Sequence, residues 1–230
     1  MLINKDPLYV RREVNSFKQK IDELLPEENS ASKNLMSSMF KQAVFYNTLI
    51  LLDDSITHKS YINGMTYDAL NCIISLIHRR ERSLHLNLRS IIEHVARIAL
   101  NKSHAGNDFD GTVRRRNFDY LKQNKPNENW KYLHDSYIRA CQYIHSSPNA
   151  NLNIAATFTE LLDSDFTSKI PKQISSAQRI ISEASKILVH YLEPDISNSF
   201  LRTQTELEFL LGKSTFILYR TLKESRIDEW

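Results

Sequence analysis

Apolar residues recur at helical spacing along most of the chain. Between Pro7 and Leu25, the positions Val10, Val14, Phe17, Ile21 and Leu24 lie three or four residues apart, and "PEENS" ends the run with a proline and polar capping residues. The run from Ala31 to Ile62 has no Gly or Pro, and it is apolar almost all round between Phe40 and Leu52. Such a helix is expected at the centre of a fold rather than at its surface.

"NGM" at 63–65 reads as a turn, after which Thr66 can cap a third helix through "YDALNCIISLI". The charged "HRRERS" leads into "NLRSIIEHVARIAL" at 87–100, and the third and fourth helices read as two elements or as one bent rod. "NKSHAGNDFDGT" is the clearest loop and delivers the basic run "VRRRNFDYLK"; "KPNEN" is the next break. The helix "NWKYLHDSYIRACQYIHSS" puts Trp130, Leu133, Tyr137, Ala140, Cys141 and Ile144 on one side and stops at Pro148.

Residues 149–169 carry too little periodicity to assign. The last long runs, "QISSAQRIISEASKILVHYLE" and "SNSFLRTQTELEFLLGKSTFILYRTLKES", are parted by "PDI" and predict an antiparallel helical hairpin. The expected fold is all-α: a single-domain bundle of about seven helices, with 1–27 as an accessory helix and 30–225 as the bundle.

Composition agrees with long helices, because 4 Gly and 6 Pro in 230 residues are too few for a turn-rich fold. A formal charge of +3 permits a nucleic-acid partner without requiring one. Cys72 and Cys141 sit inside apolar helical patterns without CxxC spacing and read as small core residues. The N-terminus lacks the apolar stretch of a secretory signal, and no run approaches the ~18 apolar residues of a membrane span, so a cytoplasmic protein without a membrane partner is expected.

The chemistry concentrates in residues 87–100. Wound as a helix, Leu84, Leu88, Ile91, Ile92, Val95, Ile98 and Ala99 form one apolar stripe, while Arg82, Arg89, Glu93 and Arg97 project roughly opposite. His94 falls on the flank beside Asn87 and Ser90. One reading is an ordinary Arg89–Glu93 surface pair with a boundary histidine. Such a pair contributes only about 0.3–0.5 kcal/mol, and Arg before Glu is the weaker orientation. Leu86 and Leu100 also lie on the Arg89 side, which suits a partly buried interface or cleft.

The other reading is catalytic. An imidazole can take the proton of a ribose 2′-hydroxyl, so that the oxygen attacks the adjacent phosphodiester, and a guanidinium can bind that phosphate bidentately. Neither step calls for a metal or other cofactor, and DNA lacks the hydroxyl. One helix supplies one Arg and one His, so a second copy across a symmetric homodimer would complete the site.

"RSIIEH" and the later "YIRACQYIHSSP" resemble the HEPN superfamily, helical domains common in prokaryotic toxin, abortive-infection and phage-defence proteins. The likeness runs from about residue 35 to 225. It implies a homodimeric, metal-independent endoribonuclease with Arg89 binding phosphate, His94 as base or acid, and Asn87 and Ser90 as polar support. It also implies an antitoxin or other defence-system partner protein. An Arg–x3–Glu pair with a distant His, here Arg89, Glu93 and His145, is an alternative set within the same resemblance.

His145, at the end of its helix, is otherwise a partner for the helix dipole. Arg79, Arg80 and Arg82, with Arg114, Arg115 and Arg116, are candidate RNA-backbone contacts, and Phe118 or Tyr120 can stack on bases. His104, Asp108 and Asp110 share a loop but show no spacing diagnostic of a metal. The competing function is a non-catalytic dimeric adaptor of the same fold, in which Arg89 and Glu93 serve structure alone.

Overall fold

The computed structural model describes residues 9–52, 56–103, 111–150, 158–166, 168–201 and 203–228, and these contain helices and no strand. In chain order the helices are α1 Tyr9–Leu24, α2 Ser30–Leu52, α3 Lys59–Ile77, α4 Glu81–Ser103, α5 Arg115–Asn124, α6 Trp130–Ile144, α7 Phe158–Asp163, α8 Ile170–Ser199, α9 Gln204–Leu211 and α10 Lys213–Asp228. A short 3-10 turn, Pro148–Ala150, follows α6.

Helices α2, α3, α4 and α8 form the centre. α6 lies on α4, α1 and α9 lie on α2, and α10 lies on α8. The all-round apolar character of α2 follows from this position, since it is covered by α1, α3, α8 and α9. Val10 and Ile21 of α1 belong to the same buried cluster as Phe45, Ile92 and Leu188, and Phe17 stacks on Phe40 with ring centroids 4.2 Å apart. The predicted stripe of α4 faces inward: Leu84, Leu88, Ile91, Ile92, Val95, Ile98 and Ala99 are all at most 1% exposed.

The described residues hold ten α-helices rather than about seven, and the differences have local causes. "NGM" is no turn: Asn63, Gly64 and Met65 lie inside α3, and Thr66 donates its hydroxyl to the Ile62 carbonyl one turn back instead of capping. The chain turns at residues 56–58, where His58 adopts φ 69°. α3 and α4 are separate helices packed on each other, parted at His78–Arg80 by Arg79 at φ 53°.

Pro194 does not end α8 but lies inside it, two residues after a kink at Leu192 (φ −119°, ψ 20°). The final run splits into α9 and α10 at Gly212, whose φ of 74° suits glycine. Within the stretch 149–169, which showed no periodicity, residues 158–166 supply the short α7 and a strap across the start of α4. Asp165 accepts a hydrogen bond from the Glu81 backbone N–H and donates its own N–H to the Arg79 carbonyl (3.1 Å). The first orphan donor of α4 is thus satisfied by a carboxylate distant in sequence.

Cys72 is buried and Cys141 half-buried, and both are free thiols. No helix among the described residues is long and apolar enough to cross a membrane.

His85 shows what burial does to a titrating group in this core. It is 6% exposed, its ring stacks on Tyr143 at 3.8 Å, and its Nε2 has no hydrogen-bond partner. Burial, aided by the Arg139 guanidinium, lowers its pKa from 6.5 to about 4. Between those values the unfolded chain takes up a proton that the folded chain refuses. Stability present above the window is therefore lost as pH falls through it, by up to about 3 kcal/mol. Urea midpoints measured from pH 7 to 4.5 are expected to fall in the wild type and to fall less in His85→Phe, which keeps the stack and removes the titration.

Candidate functional site

The polar face of α4 is covered by three neighbours. α6 runs antiparallel along it: Arg82 donates to the Ile144 carbonyl (2.8 Å), His85 stacks on Tyr143, and Glu93 meets Tyr137. α3 packs on the flank that carries His94, and the segment entering α5 crosses near Arg97.

Glu93 is the hub. Its Oε1 accepts from Arg89 Nε at 3.0 Å and from the Tyr137 hydroxyl at 3.0 Å, with Arg89 Nη2 at 2.9 Å; its Oε2 meets Arg97 Nη2 at 3.4 Å. The Glu93 side chain is 17% exposed and that of Arg89 29%. The pair is therefore no solvated surface bridge, and the cleft anticipated on the Arg89 side is largely filled by α6. Burial works against the charge on Arg89, but the Tyr137 and Glu93 contacts outweigh it and hold the guanidinium above its ordinary range. Burial pushes the Tyr137 phenol up to about 12, against the Arg89 guanidinium and with the Glu93 carboxylate, so it stays a neutral donor.

One residue on, His94 is held from both sides. Its Nε2 lies 3.4 Å from Asp68 Oδ2 of α3 and 3.3 Å from Ser90 Oγ, and its Nδ1 lies 3.5 Å from Arg97 Nη1. Arg97 is fixed in turn by its Nε bond to the Gly111 carbonyl (3.0 Å) and stands over the Tyr61 ring at 5.7 Å. Two guanidiniums, two carboxylates and one imidazole thus share a patch built from α3, α4 and α6.

The structure brings Arg89, Glu93, His94 and Ser90 together. Asn87 is 9% exposed and turns away, donating its amide to the Ser83 carbonyl at 2.9 Å. His145 is not in the cluster: it is exposed at the C-cap of α6, eight residues and roughly 12 Å along the helix from Tyr137. Antiparallel packing sets His145 level with Arg82 rather than Arg89. Leu86 is 52% exposed on α4 and Ile138 43% on α6, whereas Leu100 is fully buried and adds nothing to a surface.

The six candidate backbone-binding arginines divide. Arg80 donates to the Leu161 carbonyl and, at 2.6 Å, to the Leu162 carbonyl, and Arg82 is engaged with Ile144. Arg79 is exposed at the tight turn before α4. Arg114, Arg115 and Arg116 are exposed at the start of α5, three to five residues beyond the Gly111 that Arg97 holds. Phe118 is fully buried between Trp130 and His134 and cannot stack on a base; Tyr120 is half-buried. His104, Asp108 and Asp110 lie outside the described residues, among which no group of three His, Cys, Asp or Glu side chains could hold a metal ion.

Asp68, Gly64, Arg97 and Tyr137 are the members that sequence reasoning did not assign to the site. Asp68 carried one signal, a lone carboxylate directly before the mostly apolar run "ALNCIISLI" of α3, where a buried charge needs a partner. Compared with protein-family models, curated proteins and solved structures, the chain matches none.

Proposed function

We propose that the chain is a metal-independent endoribonuclease of HEPN-like fold, a toxin or phage-defence protein that acts on single-stranded RNA as a homodimer under the control of a partner protein. The observation that carries this reading is His94, a half-buried imidazole held between Asp68 and Arg97 one turn from the Arg89 guanidinium. Its base would take the 2′-hydroxyl proton, the O2′ electron pair would form the new bond to phosphorus, and the P–O5′ bond would break with its pair on O5′. That oxygen would take its proton from the imidazolium of the second copy, leaving a 2′,3′-cyclic phosphate and a 5′-hydroxyl. Arg89 and Arg97 supply charge for the phosphate oxygens, and exposed Arg114, Arg115 and Arg116 offer a track for the RNA backbone. Leu86 and Ile138 give the apolar surface on which a second copy would seat.

A second reading is favoured by a different observation, the closure of Arg89, Glu93 and Tyr137 on one another. In a non-catalytic adaptor that network would serve only to fasten α6 to α4. Purified wild type, Arg89→Ala, His94→Ala and His145→Ala incubated with total RNA and tRNA separate the two when melting curves are taken alongside. The ribonuclease reading expects cleavage lost in the Arg89 and His94 variants and kept in His145→Ala. An adaptor expects no cleavage by any of them, with Arg89→Ala lowering the melting temperature.

A further inference from the structure

Asp68 stands where a carboxylate is costly: it is 8% exposed, on a helix whose neighbours Ala69, Cys72 and Ile73 are core, and its buried Oδ2 makes no hydrogen bond, while the His94 imidazole faces it with Nε2 at 3.4 Å. A buried acceptor left without a donor costs about 1–3 kcal/mol. The imidazole reaches it because Gly64, one turn before Asp68, has no side chain. A Cβ there would lie 2.4 Å from His94 Nε2. The two α3 residues therefore act together, one making room for the ring and the other facing its nitrogen.

The second nitrogen decides the tautomer. Nδ1 faces Arg97 Nη1 at 3.5 Å, and a guanidinium has donors only, so Nδ1 must present its lone pair. The proton of the neutral ring is then on Nε2, pointing at Asp68 Oδ2 and Ser90 Oγ. At 3.5 Å the Arg97 contact is at the long limit of a hydrogen bond and is readily exchanged. A phosphate arriving beside Arg97 would draw the guanidinium to its oxygens and uncover Nδ1.

We infer that Asp68 is the positioning residue of His94: its carboxylate, 3.4 Å from Nε2, draws the ring proton to that nitrogen, fixes the imidazole in that tautomer, and leaves Nδ1 as the atom that receives the 2′-hydroxyl proton. This rests on the ribonuclease reading for its role in the reaction, but not for the tautomer. The proton moves from O2′ to Nδ1 while Nε2–H stays with Asp68, so a positive ring forms beside a carboxylate that balances it.

The test is nitrogen-15 NMR of histidine-labelled protein, with His94→Gln identifying the signal of that ring among the eight histidines. The wild type is expected to show His94 protonated at Nε2 above neutral pH, and Asp68→Asn to show a mixture of tautomers. A wild-type ring protonated at Nδ1, or a tautomer unchanged in Asp68→Asn, overturns the assignment. In parallel, cleavage of a labelled, mixed-sequence single-stranded RNA is expected to show kcat lowered by about tenfold or more in Asp68→Asn, with KM within about twofold. His94→Gln should lose the ~10²–10⁴ that a positioned base contributes. Undiminished kcat in Asp68→Asn overturns the positioning role. A wild type that cleaves nothing yet shows the Asp68-dependent tautomer overturns the ribonuclease reading and leaves the pairing intact.

Discussion

Gly64→Ala is expected to lower stability by about 1–2 kcal/mol and to abolish RNA cleavage, although the same exchange within an ordinary helix raises stability by about 1 kcal/mol. The reversal comes from across the interface. A Cβ at this position would lie 2.4 Å from Nε2, 2.7 Å from Cε1 and 2.9 Å from Cδ2 of the His94 ring. An unrestrained imidazole would swing aside at little cost. Here one nitrogen faces Asp68 and the other Arg97, so displacement breaks both contacts and leaves the Asp68 carboxylate buried alone.

The sign of the effect should depend on His94. In a His94→Ala background the space is empty, and Gly64→Ala is expected to stabilise by up to about 1 kcal/mol through helix propensity alone. Urea unfolding of the four proteins in this cycle reads the coupling directly. Equal destabilisation in both backgrounds would locate the cause in the α3 backbone. Stabilisation in the wild-type background would mean that the ring is not held.

Glu93→Gln carries the second large effect. The carboxylate is nearly enclosed and receives contacts from Arg89, Arg97 and Tyr137. Glutamine keeps the shape but loses the charge that balances two guanidiniums, which only donate and so cannot pair with its amide N–H groups. The expected loss is about 1–3 kcal/mol, seen as a melting temperature lower by about 3–10 °C. RNA affinity is expected to hold or rise, because the carboxylate competes with phosphate for the same guanidiniums. A variant that melts as the wild type does would show that the network contributes nothing to the α4–α6 contact, and weaker RNA binding would contradict the role given to Arg89 and Arg97.

Much of the architecture was legible because helical period is a local property. The α4 stripe from Leu84 to Ala99 could be read directly, since residues three and four apart face the same side whatever they meet. The polar face of the same helix could be ordered too, down to Ser90 beside His94. What meets that face is a matter of tertiary register and left little trace in the chain. Tyr137 read as one more apolar position of α6, and Asp68 as part of an apolar helix.

Gly64 misled for the same reason. Its local meaning is a turn, but it sits in α3 as the point where another helix approaches closely. Pro194 misled in the opposite direction, because a helix kinked at Leu192 and packed along its length on α2, α4 and α10 tolerates a residue that would end an isolated one. His145 looked adjacent to the site until the antiparallel pairing of α4 with α6 set it beside Arg82 instead.

The most direct measurement is incubation of the wild-type protein, in excess EDTA, with a single-stranded oligoribonucleotide and with its all-2′-deoxy counterpart, followed by analysis of the product ends. Cleavage of the RNA alone is expected, leaving 2′,3′-cyclic phosphate and 5′-hydroxyl termini. Cleavage of the deoxy strand, or RNA products ending in a 5′-phosphate, would contradict it, because neither can arise from attack by the neighbouring 2′-oxygen.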